Sequence, residues 1–210
     1  MIRVLIADDH ALIRGGLKQI LAATADIVVA GEAADGADVI ELIRDIALDL
    51  LLLDMDMPGI SGIALIRHVR AARPSLPIFV LSVHDEVQIV TRALKAGASG
   101  YATKDSDPEI VLDAIRKLAA GDRFIDPKLV GAIVFDAPRD DSPALESLSD
   151  REFQVLQMFA DGRGINDIAS SLSLSAKTIS THKSRLMQKL RIENNADLIR
   201  CAIKHNLVKQ

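Results

Sequence analysis

Five side chains in the first half of the sequence have the chemistry of a phosphate or metal site. They are the carboxylates of Asp8, Asp9 and Asp54, the hydroxyl of Ser82 and the ammonium group of Lys104. Carboxylates that lie close together repel each other unless a cation neutralises them, and oxygen ligands of this kind suit Mg²⁺. An aspartate can attack a phosphoryl group as a nucleophile, while a lysine and a hydroxyl hold its oxygens. If the fold brings these residues together, their types predict phosphoryl chemistry.

Short apolar runs precede all five residues. The candidate strands cover residues 4–7, 28–31, 50–53, 78–81 and 100–102, and amphipathic segments with helical spacing separate them. Five strand–helix repeats predict a parallel sheet with helices on both faces, because each right-handed crossover lays its helix against a face. In a doubly wound sheet, ligands bind outside the carboxyl ends of the strands, which is where the five polar residues fall.

The second half of the sequence has a different organisation. Residues 136–147 contain two prolines and no apolar period, which is typical of an interdomain linker. Ser149 and Glu152 form a predicted capping box at the start of a helix. A short helix over 165–171, a tight turn and a long helix over 175–190 have the spacing of a helix-turn-helix.

The predicted architecture is therefore an α/β doubly wound, five-stranded parallel sheet of flavodoxin-like type, followed by a small all-α helix-turn-helix domain. We expect the sheet domain to span residues 1–120, a linker with a possible short helix to span 121–143, and the helical domain to span 144–210.

Composition excludes several classes of protein. The 210 residues carry a net charge of −4, but residues 1–140 carry −6 and residues 141–210 carry +2. The single cysteine, Cys201, cannot form an internal disulfide, which favours the reducing cytoplasm. No apolar run approaches the roughly 18 residues of a membrane span, and the N-terminus lacks the pattern of an export signal. We expect a cytoplasmic protein without a membrane segment.

The helix predicted over 175–190 is a candidate nucleic-acid interface, because basic residues cluster there without an acid. A basic helical hairpin need not bind DNA, so the spacing alone leaves a solvated helix face open. The candidate contact residues are Ser175, Lys177, Thr178, Ser180, Thr181, Lys183, Ser184, Arg185 and Lys189.

Four strings in the first domain resemble the receiver domain of bacterial response regulators. They are LIADDH (5–10), LLLDMDMPG (51–59), LSVHDE (81–86) and GASGYATK (97–104). The resemblance implies that Asp54 is the phosphoacceptor and takes its phosphoryl group from a sensor histidine kinase or a phosphotransfer protein. It also implies a Mg²⁺ site formed by Asp9, Asp54 and the backbone carbonyl of Asp56, with Asp8 holding a metal-bound water.

The same resemblance implies a two-state switch. Lys104 would contact the phosphoryl group, Ser82 would move to bond it, and Tyr101 would change rotamer in the vacated space. Asp56, two residues after the acceptor, is an unusual feature of this loop. A solvated loop acid is the simpler interpretation, but a carboxylate that faced the site would alter the lifetime of the phosphoryl group.

Three strings in the second domain resemble the LuxR-type helix-turn-helix: LSDREFQVL (148–156), IASSLSLS (168–175) and KTISTHKS (177–184). With the receiver ahead of it, the chain is similar to the NarL/FixJ family of DNA-binding response regulators. The resemblance implies sequence-specific binding of double-stranded DNA, and the apolar last helix suits a homodimer on DNA. Ser180, Ser184 and Asn195 stand where relatives often carry a cation, which predicts a shallower salt dependence of binding.

Two other functions remain open from the sequence. One is a constitutive DNA-binding transcription factor whose receiver works without phosphorylation. The other is a phosphatase of haloacid-dehalogenase type, since Asp54-Met-Asp56 after an apolar strand is similar to the phosphoaspartate motif of those enzymes. Because the acidic pair of such phosphatases follows the lysine, whereas Asp8 and Asp9 precede it, we expect a regulator that is not an enzyme.

Overall fold

The computed structural model describes residues 1–135, 145, 147–205 and 207. The chain divides into two compact units, Met1–Ala137 and Pro138–Gln210, which are called the first and second unit below.

The first unit is built on one six-stranded sheet. Its strands are β1 (Ile2–Ala7), β2 (Ile27–Ala33), β3 (Leu50–Leu53), β4 (Ile78–Ser82), β5 (Gly100–Thr103) and β6 (Phe124–Ile125). The strand order is β2-β1-β3-β4-β5-β6, and every neighbouring pair is parallel. Because β1, β3, β4 and β5 are neighbours at the centre, the residues that follow them meet at one edge of the sheet.

Five helices connect the strands, and a sixth follows β6. They are α1 (Ala11–Ala22), α2 (Gly36–Asp45), α3 (Gly62–Ala72), α4 (Val87–Ala96), α5 (Pro108–Ala119) and α6 (Pro127–Phe135). All residues of β3 and β4 are buried. One main core cluster joins alternate strand residues with the inner faces of α1 and α5. Since successive strand residues point to opposite faces, the remaining buried strand residues need the other helices to cover them.

The predicted doubly wound parallel sheet is confirmed, and the five expected strands are all present. The structure adds β6, whose two residues pair with Gly100 and Tyr101 of β5. A two-residue strand is too short to show alternation in the sequence, so periodicity could not reveal it. Both β6 and α6 come from the predicted linker, 121–143, but they belong to the first unit. Residues 136–143 of that linker lie outside the described residues.

The described part of the second unit is helical. Its helices are α7 (Asp150–Ala160), α8 (Ile165–Ser171), α9 (Ala176–Leu190) and α10 (Asn195–Lys204). The predicted capping box is confirmed at the start of α7: Ser149 accepts from the backbone of Glu152, whose carboxylate accepts from the backbone of Ser149. Side chains of Ser175 and Asn194 cap α9 and α10.

A short turn joins α8 to α9, and the three elements form a helix-turn-helix. Ile168, Ala169 and Leu172 are buried, as is Ile179 of α9. Ser173 takes a left-handed φ of 53° in the turn. No helix in the described ranges is both long and apolar enough to cross a membrane.

Candidate functional sites: an acidic pocket and a basic helix

The five polar residues singled out in the sequence do meet at the carboxyl edge of the sheet. Asp8 and Asp9 follow β1, Asp54 follows β3, Ser82 ends β4 and Lys104 follows β5. The backbone N–H of Asp54 donates to the carbonyl of Ala7 at 2.8 Å, which continues the pairing of β1 and β3 beyond their ends. The backbone N–H of Lys104 donates to the carbonyl of Ser82 at 2.8 Å in the same way. We call this group of residues the acidic pocket.

Lys104 joins the two most buried carboxylates of the acidic pocket. Its Nζ lies 2.7 Å from Oδ2 of Asp8 and 2.9 Å from Oδ2 of Asp54. Both aspartates are only 1% exposed. Burial by itself would lower the pKa of Lys104, but hydrogen bonds to these two carboxylates raise it, so the ammonium form is favoured.

Asp54 has capacity for a further partner. Its Oδ1 is buried and has no hydrogen-bond donor among the described residues. Burial raises the pKa of Asp54 above its ordinary value, and Lys104 opposes that shift. A buried carboxylate oxygen without a partner is costly, so this atom points to a cation or a donor that completes the site.

A cation could be held at this point. Asp8, Asp9, His10 and Asp54 each offer one ligand atom, and these atoms all lie within 4.8 Å of one another. Three carboxylates around a small space suit a hard divalent cation such as Mg²⁺. Nδ1 of His10 lies 2.7 Å from Oδ1 of Asp9, and its side chain is 63% exposed.

Ser82 and Tyr101 lie behind the acidic pocket. Ser82 is fully buried, and its Oγ accepts from the backbone N–H of His84 at 3.3 Å. The hydroxyl of Tyr101 donates to the carbonyl of His84 at 2.8 Å. Burial raises the pKa of Tyr101, so the phenol keeps its proton. In this structure the tyrosine ring already occupies a buried position, and the rotamer change expected from the sequence stays a prediction.

His84 connects the loop after β3 with the loop after β4. Its Nε2 lies 2.9 Å from Oδ2 of Asp56, and its Nδ1 lies 3.4 Å from Oε2 of Glu86. Burial alone lowers the pKa of His84, but the two carboxylates raise it to about 9. The signal in the sequence was only a histidine followed by two acids, Asp85 and Glu86, because Asp56 is distant along the chain. Asp56 is therefore a paired side chain that is half exposed.

The basic helix predicted from the sequence is α9, and its candidate residues differ in their surroundings. The exposed ones are Ser175, Lys177, Ser180, Thr181, Ser184 and Arg185, whereas Thr178 and Lys183 are half-buried. Nζ of Lys183 lies 5.0 Å from the centre of the Phe159 ring, a cation–π contact.

Lys189 has a structural partner. Its Nζ lies 2.7 Å from Oε2 of Glu152 and donates to the carbonyl of Ser147 at 3.0 Å. Glu152 is only 4% exposed and takes part in the capping box of α7. The ammonium of Lys189 therefore fixes α9 to the start of α7. Lys189 was predicted to contact DNA because it belongs to a run of basic residues, and the sequence does not show which of these cations are paired.

Together, a parallel α/β unit with an acidic pocket and a helix-turn-helix unit with a basic helix define a receiver domain joined to a transcription-factor domain. Residues 4–116 match the family described as the response regulator receiver domain, and residues 146–202 match the luxR family of bacterial regulatory proteins. The chain belongs to the NarL/FixJ family of two-component response regulators.

Relatives of full length support this assignment. The chain is 36% identical to the response regulator GacA of Pseudomonas aeruginosa, over 99% of this chain and 98% of GacA. It is also 36% identical to the response regulator UvrY of Escherichia coli K12, over 99% of this chain and 96% of UvrY.

Solved structures show the same arrangement of domains along the chain. RcsB of Salmonella enterica serovar Typhimurium, described as bound to the promoter rprA with the phosphomimetic BeF₃⁻, is 29% identical with a TM-score of 0.69. That match covers 95% of this chain and 96% of RcsB. ChrA, the response regulator of a heme-sensing two-component system, is 32% identical with a TM-score of 0.55, covering 99% of this chain and 98% of ChrA.

Proposed function

We propose that this response regulator is a switch in which phosphorylation of Asp54 controls DNA binding by α9. The observation that carries the proposal is the environment of Asp54. Its carboxylate is buried, one oxygen is paired with the ammonium of Lys104, and the other oxygen has no partner among the described residues. A buried carboxylate beside a fixed positive charge, with one oxygen left to hold a cation, is what a phosphoacceptor needs.

The donor would be a phosphohistidine on a sensor histidine kinase or a phosphotransfer protein. An oxygen of the Asp54 carboxylate forms a bond to phosphorus, the phosphorus–nitrogen bond to the donor imidazole breaks, and its electron pair stays on that nitrogen. Lys104 then pairs with an oxygen of the transferred group, and the hydroxyl of Ser82 donates to another. Because Ser82 also contacts the backbone of His84, its movement would shift the start of the β4–α4 segment.

Mg²⁺ fits the acidic pocket, and the same residues would hold it. Asp9, Asp54 and the backbone carbonyl of Asp56 would be ligands, with Asp8 bonded through water. When bound, the ion neutralises charge on the phosphoryl group. The donor set is made of hard oxygens, and the unpartnered oxygen of Asp54 gives the ion a ligand.

The output would be sequence-specific binding of double-stranded DNA. Exposed residues at the start of α9 would meet base edges in the major groove, and Lys177 and Arg185 would reach phosphates. A homodimer on DNA is supported by α10, whose Ile199 and Ile203 are 44% and 56% exposed. A cytoplasmic switch without a catalytic cycle of its own follows from this role.

The test is phosphorylation of the full-length protein by a small phosphodonor. Incubation with phosphoramidate and Mg²⁺ should add one phosphoryl group, detected by intact-protein mass spectrometry, and Asp54→Asn should abolish the addition. Asp85→Asn is the matched control, since Asp85 is an exposed acid near the same edge, and it should be modified like the wild type. Modification of Asp54→Asn at the wild-type rate would overturn the assignment of Asp54.

A further inference from the structure

Asp126 is a fully buried acid that no step of the proposed function uses. It lies between β6 and α6, outside residues 4–116 that match the receiver family. One carboxylate oxygen accepts from the backbone N–H of Lys128 at 2.9 Å, and the other accepts from the hydroxyl of Ser106. The backbone N–H of Asp126 donates to the carbonyl of Tyr101 at 2.9 Å. The residue is thus bonded to β5 and to the loop that follows it.

That loop carries Lys104. The hydroxyl of Thr103 donates to the carboxylate of Asp105, and the backbone N–H of Ser106 donates to the carbonyl of Thr103 at 3.1 Å. The side-chain oxygens of Thr103 and Ser106 are 3.2 Å apart. The backbone of Lys104 is therefore held between the end of β5 on one side and the Ser106–Asp126 hydrogen bond on the other.

We propose that Ser106 and Asp126 are positioning residues for Lys104, which rests on the proposed role of Lys104 as the phosphoryl contact. Lysine has a flexible stem, so the place of its ammonium depends on where its backbone is anchored. The ammonium must lie within 3 Å of both Asp8 and Asp54, and small displacements of a positioned charge weaken its interaction with a bound anion.

The consequence concerns the extent of the phosphoryl site. The sequence places Asp126 in a linker, yet its carboxylate anchors the loop of a pocket residue across the edge of the sheet. The segment that leads toward the second unit thereby shares a hydrogen-bonded network with the phosphoryl site. Binding of a phosphoryl mimic and binding of Mg²⁺ can distinguish this positioning role from a general role in folding. Lys104 would contact the phosphoryl group, but it is not among the residues that would hold Mg²⁺.

The experiment measures both ligands on the full chain. Mg²⁺ affinity is measured by calorimetry, and occupancy by the phosphoryl mimic beryllofluoride is measured by ¹⁹F NMR at saturating Mg²⁺. The variants are Ser106→Ala and Asp126→Asn, which remove or weaken the same hydrogen bond from its two ends. Asp107→Asn is the matched control, since Asp107 is exposed in the same loop and its side chain does not cap α5.

We expect both variants to bind beryllofluoride on the order of three- to tenfold more weakly, the range of one hydrogen bond. Their Mg²⁺ affinity should not be weakened, because a displaced ammonium leaves Asp8 and Asp54 freer to hold the ion. The control should match the wild type for both ligands. Wild-type affinity for beryllofluoride in both variants would overturn the proposal, and so would an equal loss of Mg²⁺ affinity, which indicates general disruption. A wild-type protein that binds Mg²⁺ but not beryllofluoride would contradict the proposed function itself, and the positioning role with it.

Discussion

The ion pair between Lys189 and Glu152 predicts that Lys189 stabilises the second unit and does not bind DNA. Glu152 is 4% exposed, whereas the side chain of Lys189 is 39% exposed. A buried carboxylate that loses its partner costs about 3–5 kcal/mol, and a surface pair is worth about 0–1 kcal/mol. Because water screens the half-exposed ammonium, we expect Lys189→Met to cost about 1.5 kcal/mol.

This loss of stability in Lys189→Met should be measurable as a lower Tm of the second unit. A domain of this size loses about 4–8 °C in Tm for each kcal/mol, so the calorimetric transition of that unit should fall by about 6–12 °C. Glu152→Gln keeps an acceptor for the backbone of Ser149, and in that background Lys189→Met should cost under about 0.5 kcal/mol. The pKa of Glu152 is lowered: burial opposes the shift, but bonds from Lys189 and Ser149 outweigh it. Its contribution is therefore present above pH 4.5 and is lost as the pH falls through the lowered value.

Measurements of DNA binding distinguish a structural role of Lys189 from the DNA contact predicted from the sequence. Lys177→Met is the matched control, because Lys177 is exposed on the same helix. It should leave stability unchanged and make the slope of log affinity against log salt shallower by about one. Lys189→Met should leave that slope unchanged. A Lys189→Met variant that unfolds like the wild type but has a shallower salt slope would show that Lys189 contacts DNA and does not stabilise the second unit.

Three further predictions concern the first unit. Gly36→Ala should destabilise it by more than about 2 kcal/mol in denaturant titrations, since a Cβ would lie 1.8 Å from the carbonyl oxygen of Ile60; Gly15→Ala, which meets open space in a helix, should instead stabilise by about 0.5–1 kcal/mol. Because the folded pKa of His84 is raised to about 9 from 6.5, its contribution of about 3 kcal/mol is complete below pH 6.5 and is lost as the pH rises through 9. Denaturant titrations in EDTA should show this loss in the wild type, and an equal loss in His84→Gln would refute it. Asp56→Asn should change the rate at which phosphorylated protein loses its phosphoryl group, and equal rates would discard a role for that carboxylate.

Much of the fold followed from the sequence because the hydrophobic pattern is strong there. The central strands are apolar at successive positions, as buried parallel strands must be, and the residues after them had to meet at one edge. The cap residue Ser149 marked the start of α7 for a local physical reason, since its hydroxyl accepts from the backbone N–H of Glu152.

Contacts between residues distant along the chain could not be read in this way. His84 with Asp56, Ser106 with Asp126 and Lys189 with Glu152 are each separated by at least 20 residues, and no local pattern encodes such pairs. The sequence shows that a charge is present, but only the fold shows whether it is paired. For that reason the acidic pocket was predicted better than the surroundings of the basic helix.

The central claim is that phosphorylation of the acidic pocket controls DNA binding by α9. The most direct measurement is selection of random duplex DNA by the full-length protein in Mg²⁺, with and without beryllofluoride. The account predicts one shared motif, enriched mainly with beryllofluoride, whose half-site spacing reports the dimer on DNA. Equal enrichment in both conditions would contradict the switch and favour constitutive DNA binding, and no enrichment in either condition would contradict the DNA-binding role of α9.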